Sequence, residues 1–201
     1  AFYESQLSKR IEKERVRHAL LQYKHDHIFT KGQIRALEEI KIAYEKIRKS
    51  LTARQMEDIL DRFAVNFTYE SNAIEGNSLT LKDVTFIIKE GRILPGKDLR
   101  EVYETLNTKK ALAWIEKRRP GINKKNVLML HKIVVKDTGV SPGYKQFPNF
   151  LLGRRIKTAP PEKVEAEMER LFQAYHLQQG LHPLQQAALF HGRFEQIDPF
   201  E

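Results

Sequence analysis

Apolar residues recur three and four positions apart along most of this 201-residue chain. That spacing puts them on one face of a helix. Leu7, Ile11, Val16, Leu20 and Tyr23 outline a first amphipathic helix. Ile34, Leu37, Ile40, Tyr44 and Ile47 outline a second. Thr52 is placed to cap a third helix that stops at Gly76, and Thr80 and Asp83 have capping-box spacing before a run that ends at Gly91. A long helix containing Trp114, a candidate core residue, is closed by Pro120-Gly121, and Asn123 caps the next one. Pro161 suits the first turn of a further helix. Ala187, Phe190, Phe194 and Ile197 share a face of the last.

The period breaks once. Residues 139–161, "GVSPGYKQFPNFLLGRRIKTAPP", are too rich in Gly and Pro for helix. Within them, Asn149, Phe150, Leu151, Leu152, Gly153, Arg154, Arg155, Ile156, Lys157 and Thr158 read as a small hairpin about Gly153-Arg154. The expected fold is therefore all-α with one β-hairpin. A helical region over residues 1–59 precedes a core over 60–201.

The formal charge of +9 changes this picture little. Stretches such as "SKRIEKERVR" interleave bases with glutamates at helical spacing, which favours solvated faces with i,i+4 pairs. Nucleic-acid binding through the basic N-terminal helices or the hairpin is the alternative reading. No apolar run is long enough for a bilayer, and the N-terminal residues carry no signal-peptide apolar block. The chain has no cysteine, which excludes disulfides and thiolate chemistry and is compatible with the cytoplasm. His131 and His191 lie on apolar helix faces and are expected to pack with a hydrogen bond. His176 and His182 lack zinc-site spacing, so no metal site is expected.

The C-terminal residues "ALFHGRFEQIDPFE" carry a helix into an Ile-Asp-Pro-Phe corner. A helix, a tight turn and a second helix form a standard place for phosphate chemistry. This stretch resembles the approach to the Fic-family signature, H-P-F-x-[DE]-G-N-G-R. Pro199 and Phe200 anchor the motif, and Asp198 stands where the family has histidine. "SNAIEGN" resembles the family's inhibitory pattern, with Ser71, Glu75, Gly76 and Asn77 in place. Residues 149–158 resemble the flap that registers a target segment. Lys145 follows Gly-Tyr where many relatives have arginine.

The resemblance implies transfer of AMP from ATP, with Mg2+, to a Ser, Thr or Tyr hydroxyl of a target protein. Glu75 would act as a built-in brake. It equally implies the reverse reaction, AMP removal, and the sequence leaves the two open. Asp198 would take the proton-accepting role of the motif histidine, with a weaker base. Glu201 occupies the variable position of the motif, and the sequence holds no Gly-Asn-Gly-Arg loop. The expectation is that this polypeptide transfers no AMP as it stands. A non-catalytic module that binds a protein or nucleic acid is the other class of function considered.

Overall fold

The computed structural model describes residues 2–24, 28–93, 95–149 and 158–201. Eight α-helices occur among them: α1 (Phe2–Gln22), α2 (Lys31–Ser50), α3 (Ala53–Ile74), α4 (Leu81–Thr85), α5 (Leu99–Arg118), α6 (Lys124–Val134), α7 (Pro161–Leu177) and α8 (Pro183–Ile197). There is no strand among the described residues. The hairpin expected over 150–157 falls outside them; its flanks Asn149 and Thr158 are inside.

The chain divides into two units, one of residues 1–52 and 173–195 and one of 53–172 and 196–201. In the first, Thr30 caps α2 by a capping box with Gln33. The buried face of α2 is Ile34, Glu38 and Ile42. This corrects the stripe read from sequence, because Ile40, Tyr44 and Ile47 are exposed. A buried glutamate is what misled the pattern. Glu38 accepts from the Tyr23 hydroxyl at 3.4 Å and lies 3.4 Å from His182 Nε2, so its carboxylate is paired where it is buried. On α1, Val16 is buried whereas Leu7 and Ile11 are exposed.

In the second unit, Val65, Leu79, Val84, Ile87, Ile88 and Val102 form the core, with Tyr69 and Leu106 packed against them. Each fully buried Val or Ile contributes about 1.5–3 kcal/mol. The helix expected from Thr80 begins with the predicted capping box to Asp83. It then widens into a π-helical turn, Phe86–Glu90, and ends on left-handed Gly91. Trp114, expected in the core, is only half-buried.

The joint between α5 and α6 rests on a polar residue. Asn107, 1% exposed, donates from Nδ2 to the Val134 carbonyl at 3.0 Å and to the Lys136 carbonyl at 2.5 Å. These carbonyls lie at the end of α6, where helical partners run out. The bonds fix the helix that carries His131.

Candidate functional site

α8 ends at Ile197, and Asp198 follows with φ +50°. Aspartate tolerates this left-handed conformation better than most residues, so the chain turns sharply without a glycine. The turn presents the carboxylate toward the loop before the expected flap. Asn149 Nδ2 donates to Asp198 Oδ2 at 3.0 Å and to the Phe200 carbonyl at 2.6 Å. One side chain thus holds both sides of the Asp-Pro-Phe corner.

Lys145 holds it from beneath. Its backbone N–H donates to the Pro199 carbonyl at 2.9 Å. Its side chain is fully buried, with Nζ donating to Thr158 Oγ1 at 3.0 Å and lying 3.8 Å from Asp198 Oδ2. The Ala159 N–H donates to the Ile197 carbonyl at 3.2 Å. Both flanks of the 150–157 stretch are therefore tied to the corner: Asn149 on one side, Thr158 and Ala159 on the other.

Phe200 is an anchor in the physical sense. Its ring stacks on His131, with centroids 3.8 Å apart and planes at 4°, and Tyr144 lies 5.9 Å away at 21°. His131 is 8% exposed and accepts the Gly143 N–H at Nδ1, 3.1 Å away. That acceptor role places the neutral ring's proton on Nε2, a buried atom that finds no hydrogen-bond partner among the described residues. Burial holds the His131 pKa below its ordinary value of 6.5, partly offset by the Glu201 charge. Burial likewise pushes the Tyr144 phenol up to about 12, helped by Glu165 and Glu169. His131 is the packing histidine expected from sequence. His191 is not: its side chain is 74% exposed, 3.7 Å from Glu195, so that expectation is corrected. An i,i+4 carboxylate on the solvent face accounts for its position.

Ser71, Glu75, Gly76 and Asn77 sit where α3 ends. Glu75 is exposed, Ser71 is half-buried, and Gly76 has φ +85°. The segment is fixed from its far side. The Asn77 N–H donates to the Asn72 carbonyl at 3.0 Å, and Asn77 Nδ2 donates to Glu104 at 3.2 Å. The Ser78 N–H and hydroxyl both donate to Glu101, at 2.6 and 2.8 Å. Two carboxylates of α5 therefore hold the residues after Glu75, whose own side chain faces solvent.

A cavity of about 570 Å³ lies beside the corner, lined by Tyr144, Lys145, Gln146, Pro148, Pro161, Glu162 and Glu165. Glu165 is paired with Lys124. No cluster of three metal-ligating side chains occurs among the described residues. In the first unit, bases of α1 and α2 are paired with acids, Arg15 with Glu45 at 2.8 Å and Lys46 with Glu12 at 3.1 Å. These pairings weigh against a phosphate-binding face. No helix of the described residues is long and apolar enough to cross a membrane.

The Fic/DOC family profile matches residues 121–201, the span from just before α6 through the corner. Those residues belong to the Fic/DOC family. A Fic-domain signalling protein from Bacteroides thetaiotaomicron superimposes with a TM-score of 0.69 at 29% identity, over 81% of this chain and 66% of that one. A Fic family protein from Desulfovibrio desulfuricans G20 gives 0.61 at 26% identity, over 80% and 50%. Protein adenylyltransferase Fic of Nematostella vectensis is 29% identical over 140 residues, 66% of this chain and 32% of that protein. Protein adenylyltransferase fic-1 of Caenorhabditis elegans is 23% identical over 175 residues, 83% of this chain and 34% of that protein. The chain thus spans about a third of the length of these curated relatives. All-α architecture agrees with the Fic-domain structures. Asp198, Pro199 and Phe200, named from the sequence, lie within that span; the bonds of Asn149 to the corner and the contact of His131 with Phe200 were not expected. Gly143 and His131 are twelve residues apart, and no local pattern links them.

Proposed function

We propose that this chain serves protein adenylylation: transfer of AMP from ATP to a Ser, Thr or Tyr hydroxyl of a target protein. Asp198 is the proton acceptor for that hydroxyl, and the stretch 149–158 is the platform for the target segment. The observation that carries this reading is the corner itself. Asn149 and Lys145 hold the Asp198 carboxylate beside both flanks of the expected flap. An aspartate can accept a proton from a hydroxyl nucleophile in phosphoryl-type transfer when it is positioned against it. An extended target backbone at a strand edge brings its hydroxyl there.

The residues present do not by themselves fit Mg2+ or a triphosphate. Asp198 and Glu201 are acidic, no three metal-ligating side chains converge among the described residues, and the ammonium of Lys145 is buried against Thr158. The 201-residue polypeptide assayed alone is therefore expected to transfer no label. Glu75 is assigned the brake by its place in "SNAIEGN".

The test is incubation of a protein containing residues 1–201 with α-labelled ATP and hydroxyl-bearing targets. Label that is lost on Asp198→Ala supports the reading. Label that survives Asp198→Ala, or its absence with every acceptor in a protein that binds ATP, overturns it. Glu75→Gly should raise automodification; unchanged labelling removes the brake assignment.

A further inference from the structure

Among the described residues Lys145 is the largest side chain to be fully buried, at 2% exposure, and it carries a charge. An ammonium ion can donate three hydrogen bonds. Here one goes to Thr158 Oγ1 at 3.0 Å, and the compensating charge is Asp198, 3.8 Å away. Asp198 is the one anion paired with it among the described residues. Its burial differs from that of Lys145: the Asp198 side chain is 31% exposed and the Lys145 side chain 0%. Removing either partner therefore has unequal consequences. Aspartate left alone rehydrates through its exposed side. Lysine left alone is a buried cation with a single neutral acceptor among the described residues.

Both contacts on the carboxylate fall on Oδ2: the Asn149 amide at 3.0 Å and the Lys145 ammonium at 3.8 Å. Oδ1 makes no hydrogen bond or ion pair among the described residues.

We propose that Lys145 is a positioning residue for Asp198: its buried ammonium orients the carboxylate through Oδ2, and the two side chains stabilise the corner as one unit. The inference rests on the reading of Asp198 as the reactive position, but its tests need no nucleotide.

The experiment is a thermal-unfolding cycle at pH 8, where an introduced imidazole is neutral. Asp198→His lowers Tm by about 5–10 °C, because it strands the buried ammonium. Lys145→Met alone changes Tm by less than about 2 °C, since the aspartate can rehydrate. The double variant Lys145→Met/Asp198→His recovers at least half of the loss. If Asp198→His does not fold, Asp198→Asn takes its place in the same cycle, being neutral and of the same shape. A Tm for Asp198→His or Asp198→Asn equal to that of the parent overturns the proposal, as does a loss that Lys145→Met does not relieve. Positioning is read separately from the side-chain amide NMR signals of Asn149. They shift in Lys145→Met and return in Lys145→Arg. Unchanged signals in Lys145→Met make Lys145 a space-filler and overturn the positioning role. A failed transfer assay would remove the proposed function and leave these outcomes untouched.

Discussion

Neutralising one acid should uncover how the segment after Glu75 is held. Asp83 is 5% exposed and closes the capping box of α4: its Oδ2 accepts from the Thr80 N–H at 2.9 Å and hydroxyl at 2.7 Å. Lys97 donates to the same oxygen at 2.7 Å. The Lys97 hydrogen bond, followed by those from Thr80, holds the Asp83 carboxyl at about 2 against an ordinary 3.8. A displacement of that size corresponds to about 2.4 kcal/mol at full weight. The Lys97 side chain is 27% exposed, so solvent screening brings the working figure to about 1–2 kcal/mol. The folded-state value is the depressed one. The stabilisation is therefore complete above pH 3.8 and is lost as the pH falls through about 2. Asp83→Asn keeps an acceptor for Thr80 and removes the charge. At pH 6 it should lower Tm by about 2–8 °C. Thermal melts of both proteins by circular dichroism from pH 6 to pH 2 should show the gap closing at the acid end. A gap that stays constant with pH, or no gap at pH 6, would refute the electrostatic account of this cap.

Three further outcomes follow from the same contacts. Asn107→Leu removes both donors to the Val134 and Lys136 carbonyls, and each buried acceptor left bare costs about 1–3 kcal/mol; urea unfolding should show the loss as a lower midpoint at unchanged slope. His131 has a lowered folded-state pKa, so its contribution is intact above the ordinary 6.5 and is lost as the pH drops toward the folded value; His131→Phe, which keeps a ring against Phe200, should flatten the stability profile between pH 7 and pH 5. Asn149→Ala cuts two bonds to the corner and should raise hydrogen exchange at Phe200 and Glu201 several-fold without altering exchange in α5.

Helices were legible wherever the cap and the apolar period agreed. Thr80 with Asp83 and Asn123 before α6 needed only their own neighbours. α2 was legible as a helix but not in its orientation, because Glu38 lies between Ile34 and Ile42 on the buried face. A periodicity argument scores a glutamate as solvent-facing; the partners that overrule it, Tyr23 and His182, are 15 and 144 positions away. The same limit applies to the corner. Asp198, Pro199 and Phe200 are contiguous, so their turn is legible from the local sequence. Asn149 and Lys145 reach them across about fifty residues and carry no local signature.

Asp198 shows why local reading falls short there. Considered alone, an aspartate is a weaker base than the histidine of the motif that this stretch resembles. With Lys145 buried beneath it, the charge is matched within the fold, and both contacts fall on Oδ2. Lys145 and Asp198 thus meet at 3.8 Å. Without its partner, the lysine would be a buried unpaired ion, and the aspartate an anion with one amide to steady it. Together they satisfy the rule that a buried charge is paired. The corner is thus a turn in which a partly exposed anion matches a buried cation, with an aromatic pair, Phe200 on His131, beside it.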